Sequence, residues 1–513
     1  MTMLLESIPK VPFAWLRERR WFSSKGESLD SLAVADWGPL PLAEPGIMAL
    51  VVGRYASGRR EQYLLPFIAS TSAQVGEVQI PPALTFNDSG MTWHLHDAFA
   101  FEGFQRLLIE LLIEADKLPL HNGELIFAPE EALRQSPLPL KRLRLVATEQ
   151  SNTSIIYNDQ AILKCFRRVV SGMNPDVEMS RFLTTRAGFT HTPAMLGSIA
   201  YLPANGVEHS VGLLQAFVPN RGDAWEHVLV QLQAFLEAAR EESLASSLDI
   251  QHETRRLAAG QLGEIRQLGV LTGELHLALA SDERDPDFAP RPLLPVHIIE
   301  WQQAIRAQSE TVLNDLAAHS AALPAEQQKA VAQLLTARPR ISRRIDDLDA
   351  LGRAGIKMIR YHGDYHLGQV LVGVSGFLIV DFEGEPLRSL SERRAHHSPL
   401  KDVAGMMRSL SYAAQTSLIR AENATNVVGG VASAAMPGLI DWVNAWEECA
   451  RESFLTGYLR STRGVVFLPA EAALLHAAIA VFELEKALYE LNYELNNRPA
   501  WLPIPLRGIQ RTL

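Results

Sequence analysis

The sequence HGDYHLGQ at residues 362–369 is followed by DFEG at residues 381–384. A loop with histidine and aspartate, then an amide side chain, then a segment that ends in Asp-Phe-x-Gly are the parts of a kinase catalytic site, in kinase order. Phosphoryl transfer from ATP needs a carboxylate that accepts the proton of the attacking hydroxyl, and ligands that fix magnesium on the phosphates. Asp364 is therefore the candidate base, Gln369 the candidate amide ligand of Mg²⁺, and Asp381 its main candidate ligand.

Each of these two motifs has an ordinary alternative. An isolated HGD is more often a turn, and DFEG at the end of a strand can be a loop that caps a helix. Between the motifs lie apolar runs at residues 369–372 and 377–382, joined through Gly373 and Gly376, and this pattern predicts a tight hairpin. The order, the spacing and the hairpin together favour the kinase interpretation.

A candidate phosphate-binding lysine lies upstream. In AILK, residues 161–164, Lys164 follows three apolar residues, as in the kinase strand whose lysine reaches the α- and β-phosphates. Glu178, in a predicted helix at residues 176–183, is the candidate ion-pair partner of Lys164. The alternatives are a charge at a strand edge for Lys164 and a solvated helical glutamate for Glu178.

The remaining nucleotide-binding candidates are chosen by their position in the chain. The segment before the Lys164 strand contains no glycine, but hydroxyls, an amide and backbone N–H groups can also bind phosphate oxygens. Its candidates are Ser151, Asn152, Thr153 and Ser154. The segment LLQAFV at residues 213–218 occupies the place of the linker between lobes, so the backbone around Gln215 and Phe217 is expected to meet the adenine edge.

The wider pattern predicts an α+β fold with a β-rich first half. Short apolar runs between Gly and Pro turns indicate a small β module up to about residue 90. A helix is predicted near residues 101–115, and strands at 143–147, 153–158 and 161–166, with a turn at Asn158 and Asp159 between the last two.

The second half is predicted to be mostly helical. Helical periodicity occurs at residues 228–240, 268–280, 298–317, 326–337 and 341–351. The polar or Pro-rich stretches around residues 240–265 and 281–296 are expected to be mobile loops. No internal repeat is visible.

Composition excludes several classes of protein. The chain has 513 residues and a formal net charge of -10, which disfavours a nucleic-acid binder. Its two cysteines, Cys165 and Cys449, make neither a disulfide framework nor a Cys/His metal motif. The N-terminus does not resemble a signal peptide, and no apolar stretch reaches the length of a bilayer span. We therefore expect no membrane partner and a cytoplasmic location.

With these residues identified, the chain resembles bacterial maltokinases, within the wider aminoglycoside-phosphotransferase-like kinases. The matching segments are RWFSSKG at residues 20–26, EQSNTS at 149–154, HGDYHLGQVL at 362–371, DFEGEP at 381–386 and RPAWLP at 498–503. The glutamine of the catalytic loop is especially typical of that family. A mild departure is Lys401 in SPLKDVAGM, residues 398–406, where the family would carry arginine.

The resemblance implies a two-lobed eukaryotic-protein-kinase-like fold in three parts. These are an N-terminal cap at residues 1–90, an intermediate nucleotide-binding subdomain at residues 91–218, and a helical C-lobe at residues 219–513 with the catalytic loop and the sugar site. It also implies ATP and Mg²⁺ as cofactors and transfer of the γ-phosphoryl group to the anomeric hydroxyl of maltose. The product, maltose 1-phosphate, would feed α-glucan synthesis alongside trehalose metabolism, and association with a trehalose synthase is possible.

The C-terminal helix supplies candidate sugar contacts. Lys486, Tyr489, Glu490 and Tyr493 lie three, four or seven residues apart and would share one helical face. Aromatic rings can cover the apolar faces of a sugar while charged groups bind its hydroxyls. The alternative is a surface helix with i,i+4 pairs. His366 and Glu383 are further candidates for substrate contact, although His362 and His366 also suit a structural role in the loop.

Two other functions stay open at this point. One is a related kinase for another sugar, an aminosugar or an aminoglycoside, because the acceptor pocket and not the catalytic motif sets the substrate. A strongly acidic pocket would favour a cationic substrate, and aromatic walls with few carboxylates would favour maltose. The other is a nucleotide-binding pseudokinase, which the presence of Lys164, Asp364 and Asp381 disfavours.

Overall fold

The computed structural model describes residues 1–22, 24–73, 81–136, 138–139, 141–146, 152–242, 249–386, 388–427 and 438–513, without the side chains of residues 422–427. The chain divides into two compact units. The first comprises Met1–Arg186 with Pro193–Pro219, and the second comprises Ala187–Thr192 with Asn220–Leu513. The three-part division at residues 90 and 218 stays a prediction.

The first unit is built on two antiparallel sheets. Its strands are β1 (Leu29–Pro39), β2 (Gly46–Tyr55), β3 (Arg60–Ser70), β4 (Leu84–Asp88), β5 (Met91–Asp97), β6 (Lys117–Pro119), β7 (Gly123–Pro129), β8 (Leu143–Leu145), β9 (Thr153–Tyr157), β10 (Ala161–Cys165), β11 (Arg168–Val169), β12 (Met195–Pro203) and β13 (His209–Ala216). One sheet has the order β1-β2-β3-β5-β4, with β11 also paired to β3, and the other has the order β6-β7-β12-β13-β10-β9-β8. The β-rich first half predicted from the sequence is confirmed.

The helices of the first unit are α1 (Thr2–Ser7), α2 (Phe13–Arg17), α3 (Glu102–Glu114), α4 (Glu131–Gln135) and α5 (Pro175–Arg181). The helix predicted near residues 101–115 is α3. Its buried residues include Phe104, Leu108 and Leu112, which recur at the three- and four-residue spacing of an amphipathic helix.

Strand β2 is buried on both faces because two cores meet at its sheet. Ile47 and Val51 belong to a core with the N-terminal helices, whereas Met48 and Leu50 belong to a second core that contains residues of α3 and of the seven-stranded sheet. Successive side chains of a strand point to opposite faces, so a nearly continuous apolar run is what a doubly covered strand requires.

The segment after β10 joins the two sheets of this unit. Strand β10 lies in the seven-stranded sheet, and β11, three residues later in the chain, pairs with β3 in the six-stranded sheet. Between them Arg167 is buried, forms an ion pair with Asp97, and lies 4.9 Å and 4.5 Å from the ring centroids of Trp21 and Phe99. A buried guanidinium needs such partners, so these contacts fix the segment next to Lys164.

The predicted turn between β9 and β10 is confirmed. Asn158 and Asp159 have φ of +51° and +54°, and Tyr157 pairs with Ala161 across the hairpin. Asn and Asp tolerate the left-handed region better than other residues with a side chain, which explains their presence at this turn.

The second unit is mostly helical. Its helices are α6 (Ala224–Glu242), α7 (Ile250–Leu257), α8 (Ala259–Leu279), α9 (Pro295–His319), α10 (Ala325–Thr336), α11 (Arg338–Asp346), α12 (Leu348–Leu351), α13 (Leu390–Arg393), α14 (Leu400–Val427), α15 (Leu439–Ser461), α16 (Ala472–Asn497) and α17 (Pro503–Thr512). Its strands are β14 (Asn220–Asp223), β15 (Arg291–Pro292), β16 (Lys357–Met358), β17 (Val370–Gly373) and β18 (Gly376–Ile379). In the described part of the chain, none of the helices has both the length and the apolar content of a bilayer span.

Most helix predictions for this unit are confirmed, and so is the hairpin, which is β17 and β18. The prediction of a loop over residues 240–265 is wrong from residue 250 onward, where α7 and the start of α8 lie. The side chain of Asp249 accepts the backbone N–H of His252 and caps α7, and Arg255 pairs with Glu452 of α15. The polar composition of this stretch therefore belongs to a helix whose charged residues bind a neighbouring helix.

Helices α8 and α15 pack closely through glycine. A Cβ atom on Gly269 would lie 2.0 Å from the carbonyl oxygen of Phe454, and one on Gly457 would lie 2.0 Å from that of Arg266. Both distances are far below van der Waals contact, so each glycine allows the backbone of the other helix to approach. This contact fixes α8, which carries Thr272, whose hydroxyl lies 3.0 Å from that of Tyr365 in the HGDYHLGQ loop.

We predict that Gly269→Ala lowers the thermal midpoint of the protein by several degrees, because the added methyl group overpacks the α8–α15 contact at a cost on the order of 1–3 kcal/mol. Gly260→Ala is the matched control in the same helix, since a Cβ there meets nothing within 4 Å. That control is expected to leave the midpoint unchanged or raise it slightly. Differential scanning calorimetry measures both, and equal midpoints for the two variants would contradict the close packing.

Candidate active site

The loop HGDYHLGQ precedes β17 and is fastened to the end of the β17–β18 hairpin by His362. Its Nε2 lies 3.0 Å from the carbonyl oxygen of Val380, and its Nδ1 lies 3.4 Å from the backbone nitrogen of Asp364. Because Nδ1 accepts from an N–H, the ring proton is assigned to Nε2, which donates to Val380. The structural role predicted for His362 is therefore confirmed.

The buried carboxylate of Asp402 holds the backbone of the same loop. Its Oδ2 accepts the N–H of His362 at 2.7 Å and its Oδ1 accepts the N–H of Gly363 at 3.0 Å. Asp402 is 2% exposed and lies in the first turn of α14. Asp402 lies within SPLKDVAGM in the sequence, where it was not a candidate site residue. Its burial and its two bonds to the residues immediately before Asp364 make it a positioning residue.

Further contacts fix the rest of the loop on α14 and α8. The backbone N–H of Leu367 donates to Ser409 Oγ at 3.1 Å, and the hydroxyl of buried Tyr365 lies 3.0 Å from Thr272 Oγ1. Gly405 allows close approach, because a Cβ there would lie 2.6 Å from the carbonyl oxygen of Tyr365. Asp402, Gly405 and Ser409 are spaced so that they share one face of α14. This spacing is present in the sequence, but it indicates a site only when the loop is known to lie against α14.

Asp364, the candidate base, is bound by the predicted sugar residue Lys486. The Nζ atom of Lys486 donates to Asp364 Oδ1 at 3.0 Å and to Glu385 Oε1 at 2.9 Å. Burial lowers the pKa of Lys486, but the carboxylates of Asp364 and Glu385 outweigh it and raise that pKa above the ordinary value. Lys486 therefore stays protonated and holds Oδ1 of the base, while Oδ2 faces away from this bond.

Glu385 continues the network. Burial raises the pKa of Glu385, but the cations Lys486, Arg388 and Lys401 outweigh it and lower that pKa to about 2. Arg388 Nε donates to Glu385 Oε2 at 2.8 Å, and Arg388 and Lys401 both donate to Glu485 Oε1, at 3.2 Å and 2.8 Å. Arg388, Lys401 and Glu385 were not candidate site residues, because only the fold brings their side chains together.

These groups surround a cavity of about 40 Å³. Its walls are Gln308, Tyr361, Gly363, Asp364, Tyr365, Glu385, Arg388, Lys401, Asp402, Gly405, Phe482, Glu485, Lys486 and Tyr489. Three carboxylates of the wall, Asp364, Glu385 and Glu485, are each bound to at least one cation of the same wall. The fourth carboxylate of the wall, Asp402, accepts backbone N–H groups of the loop.

His366 lies beside the base. Its Nδ1 accepts the backbone N–H of Gly368 at 3.0 Å, so Nε2 carries the proton of the neutral ring, and Nε2 lies 3.9 Å from Asp364 Oδ2. Partial burial lowers the pKa of His366. His366 therefore holds the backbone, as the structural alternative predicts, while its Nε2 is directed to the free oxygen of the base. Its role as a substrate contact stays a prediction.

The two predicted magnesium ligands lie together. Gln369 Nε2 donates to Asp381 Oδ2 at 3.0 Å, and carboxylate oxygens of Asp381 and Glu383 lie within 4.8 Å of one another. Asp381 has φ of +68°, which is unusual for a residue other than glycine and is typical of functional sites. Oxygen donors from carboxylates and an amide suit magnesium, so this donor set fits the metal that the kinase interpretation requires. Glu383, predicted to contact substrate, lies beside the metal ligands.

Helix α16 does not present its predicted sugar residues together. Tyr489 lines the cavity, and Lys486 Nζ lies 4.9 Å from the centroid of its ring. Glu490 instead accepts Nε and Nη2 of buried Arg408 at 3.1 Å and 2.6 Å and is absent from the cavity wall. Tyr493 is 47% exposed and lies under the guanidinium of Arg498. Glu490 is thus bound to Arg408 of α14, and sugar contact by Glu490 or Tyr493 stays a prediction.

In the first unit, Lys164 Nζ donates to Asp176 Oδ2 at 3.0 Å. Asp176 lies on α5, the same helix as Glu178, and was not among the candidate residues. Asp176 and Glu178 both offer a carboxylate of the kind that orients this lysine. A pair between Lys164 and Glu178 stays a prediction. The N-terminal turn of α5, where Asp176 lies, is a favourable place for a carboxylate.

The residues predicted to bind phosphate lie on the strand next to Lys164. Ser154 pairs directly with Lys164 across β9 and β10, and Thr153 pairs with Cys165. Thr153 is buried, and its Oγ1 has no hydrogen-bond partner among the described residues. Asn152 precedes β9, while Ser151 lies outside the described residues. Binding of phosphate by any of these four residues stays a prediction.

The predicted adenine-binding segment follows β13. Gln215 is buried, and its Nε2 donates to Ser180 Oγ at 3.1 Å, so its side chain belongs to the packing of α5 against the sheet. The backbone N–H of Phe217 donates to the carbonyl oxygen of Gln160 at 2.8 Å. Phe217 can therefore donate to adenine only by giving up that bond. Contact of either residue with the nucleotide stays a prediction.

Comparison with known proteins relates both the cap and the fold to kinases. Residues 15–91 match the family model of the maltokinase N-terminal cap domain. A glucosamine kinase of Streptacidiphilus jiangxiensis is 26% identical over 376 residues, 72% of each chain, and one of Mycolicibacterium smegmatis is 23% identical over 362 residues, 71% of this chain and 77% of the relative. A solved glucosamine kinase, in complex with glucosamine, ADP and inorganic phosphate, matches with a TM-score of 0.63 at 19% identity over 99% of both chains.

These similarities confirm the resemblance to maltokinase-like kinases and the α+β kinase-like fold. The RWFSSKG sequence lies within the matched cap, and three of its residues are held by contacts in the structure. Trp21 packs on Arg167, Phe22 stacks with Tyr63, and Ser24 donates to the buried Glu61. The chain thus resembles kinases in the sequence of its cap and in its fold.

The pKa of Glu385 predicts a pH-dependent contribution to stability. Its pKa is about 2 in the folded protein and ordinarily about 4.5, so the contribution is complete above about pH 4.5 and is lost as the pH falls toward 2. We predict that Glu385→Gln lowers the thermal midpoint at pH 7, and that the difference from the native protein narrows below about pH 4.5. Glu300→Gln, which changes an exposed glutamate of α9, is the control and should follow the native protein at each pH. A difference for Glu385→Gln that stays constant down to pH 3.5 would contradict the assignment.

Proposed function

We propose that this protein transfers the γ-phosphoryl group of ATP to the anomeric hydroxyl of maltose, giving ADP and maltose 1-phosphate. The observation that carries the proposal is the position of Asp364 at the wall of the cavity, with Oδ1 bound to Lys486. The maltokinase cap at residues 15–91 supports the disaccharide as the acceptor.

In the proposed reaction Asp364 Oδ2 accepts the proton of the anomeric hydroxyl. The hydroxyl oxygen forms a bond to the γ-phosphorus as the bond from that phosphorus to its bridging oxygen breaks, and ADP leaves. Lys486 holds Oδ1, so the carboxylate is oriented before the sugar binds, and no reorientation is needed during the reaction. His366 Nε2, 3.9 Å from Oδ2, can donate to that oxygen or to the sugar.

Gln369, Asp381 and Glu383 would hold Mg²⁺, which when bound neutralises charge on the phosphates. The amide of Gln369 donates to one oxygen of Asp381 and thereby orients the other oxygen for a ligand. In the first unit, Lys164 would bind the α- and β-phosphates, with Asp176 keeping its ammonium extended. Both roles are proposals that follow from residue type and from order in the chain.

The pairing of charges at the cavity supports a neutral acceptor. The carboxylates of Asp364, Glu385 and Glu485 each have a protein cation bound, Lys486, Arg388 or Lys401, so they attract a substrate ammonium less strongly than unpaired carboxylates would. Tyr361, Phe482 and Tyr489 provide aromatic surface for a sugar ring.

Glucosamine is the second candidate acceptor. Two relatives are named glucosamine kinase, and a solved structure of the same fold contains glucosamine and ADP. This alternative requires that one of the three carboxylates leave its cation and bind the amino group. The proposed link to α-glucan and trehalose metabolism and the proposed association with a trehalose synthase follow from the maltose assignment and depend on it.

The test is phosphoryl transfer from magnesium-ATP to maltose, glucose, glucosamine, trehalose and an aminoglycoside, followed by release of ADP. We expect turnover with maltose to exceed that with each other acceptor by at least about tenfold in kcat/KM, as one lost polar or apolar contact typically changes it by that factor. Greater turnover with glucosamine would overturn the maltose assignment and keep the kinase chemistry. No turnover with any acceptor would contradict both.

Asp364→Asn tests the base. The amide keeps the size of the side chain but cannot accept the proton, so we expect kcat to fall about 10²- to 10⁴-fold while ATP binding, measured by calorimetry, is retained. Asp36→Asn is a control in the first unit, because Asp36 is a buried aspartate that accepts two backbone N–H groups and is absent from the candidate site. An unchanged kcat for Asp364→Asn would exclude Asp364 as the base.

A further inference from the structure

The second unit contains another cavity, which lies between α7, α8 and α15. Its volume is about 260 Å³, near the lower end of the range for small-molecule sites, which begins at about 300 Å³. None of its lining residues belongs to the wall of the cavity at Asp364. It is therefore separate from the candidate active site.

The cavity follows from the way α8 and α15 pack. Each helix supplies four residues at spacings of three and four, so that one face of each helix lines the cavity. These residues are Ala259, Leu262, Gly263 and Arg266 on α8, and Cys449, Glu452, Ser453 and Thr456 on α15. We call the space between them, which Arg255 of α7 also lines, the interhelical cavity.

The backbones of these two helices touch just beyond the cavity. Gly269 and Gly457, where the close approach occurs, follow the lining residues in both helices. Because packed helices cross at an angle, they separate away from their closest approach. The residue at position 263 keeps that space open, since a Cβ on Gly263 would meet nothing within 4 Å.

Ser453 presents a hydroxyl without a partner at this cavity. The residue is only 6% exposed, and its Oγ makes no hydrogen bond with any residue that the structure describes. Other buried or half-buried serines of the same unit, Ser411, Ser417 and Ser461, donate to the carbonyl oxygen four residues earlier, at 3.1, 3.0 and 3.4 Å. An unpaired hydroxyl in a buried place lowers stability, so this one needs a partner inside the cavity.

Arginines from two helices also line the cavity. Arg255 Nη2 lies 2.7 Å from Glu452 Oε2, and its Nη1 lies 3.7 Å from Cys449 Sγ. The guanidinium of Arg266 forms no ion pair within the described part of the chain. Two guanidiniums against one carboxylate give the wall a positive excess, which favours an anionic ligand.

We propose that the interhelical cavity binds a small phosphate monoester that carries hydroxyl groups. The guanidinium of Arg266 and the hydroxyls of Ser453 and Thr456 are three donor groups, which match the three terminal oxygens of a phosphate ester, whereas a carboxylate offers two. Glu452 can accept a hydroxyl of the ligand while it keeps Arg255. Leu262 provides apolar surface for the carbon atoms of the ligand.

The test is isothermal titration calorimetry of the full chain, without ATP or a sugar acceptor. The probes are glycerol 3-phosphate and glucose 6-phosphate, with inorganic phosphate and glycerate for comparison. Gly263→Leu fills the cavity, and Gly260→Leu is its matched control, because a Cβ at Gly260 also meets nothing within 4 Å but Gly260 does not line the cavity. Arg266→Gln and Ser453→Ala each remove a donor, and Arg460→Gln changes an exposed arginine of α15 outside the wall.

We expect at least one of the two esters to bind the native protein at one site. Gly263→Leu and Arg266→Gln should raise the Kd of that ester at least about tenfold, and Ser453→Ala about threefold to tenfold. Gly260→Leu and Arg460→Gln should bind it as the native protein does. Inorganic phosphate, which lacks the hydroxyl groups, and glycerate, which lacks the phosphate, should each bind at least about tenfold more weakly than that ester.

Several results would overturn the proposal. One is that the native protein binds neither ester, and another is that Gly263→Leu binds the ester as tightly as Gly260→Leu, since the ester would then lie at another site. Glycerate that binds as tightly as the ester would overturn the phosphate assignment, and inorganic phosphate that does so would overturn the contacts with ligand hydroxyls. If Gly263→Leu does not fold, Arg266→Gln and Ser453→Ala decide. Because the titration measures no turnover, its result does not depend on the proposed kinase reaction.

Discussion

The active-site geometry depends on the bond between one buried carboxylate and two backbone N–H groups. Asp402 accepts from His362 and Gly363, and Asp364 follows in the chain. A buried carboxylate with charge-assisted bonds cannot move without leaving donors and acceptors unpaired, so the loop is held against α14. The closely packed contact of α8 with α15 keeps Thr272 in reach of the loop. Local rigidity of the loop thus follows from helix packing that involves no catalytic residue.

A second constraint is the balance of charge at the cavity. Three carboxylates and three cations come from the catalytic loop, from the segment after DFEG, and from α14 and α16. Each of these charged groups is paired with a group of opposite charge in a partly buried place, where an unpaired charge would lower the stability of the fold. Under the proposed function, the same pairing that stabilises the wall also weakens its attraction for a cationic sugar.

Charged residues at helical spacing were interpreted correctly only in part. Lys486 and Tyr489 lie at the cavity, but Glu490 pairs with Arg408, although the sequence places them on neighbouring positions of one helix. Likewise Lys164 of β10 was a candidate from AILK, and the structure adds Asp176 of α5 as a partner that the sequence did not single out. Asp176 and Glu178 lie two residues apart at the start of one helix, and the sequence alone does not decide between them.

By itself the sequence determined the catalytic loop, the DFEG segment, the hairpin between them, the β-rich first half and the helical second half. These features are local: each depends on residue type and on the period of the chain over a few residues. The tertiary structure decided the contacts of Asp402, Arg388 and Lys401, which lie far from the loop in sequence or beside it without a motif. These contacts join separate segments of the chain, and the register and rotation of a packed helix are set by the whole core and not by the residues that make the contact.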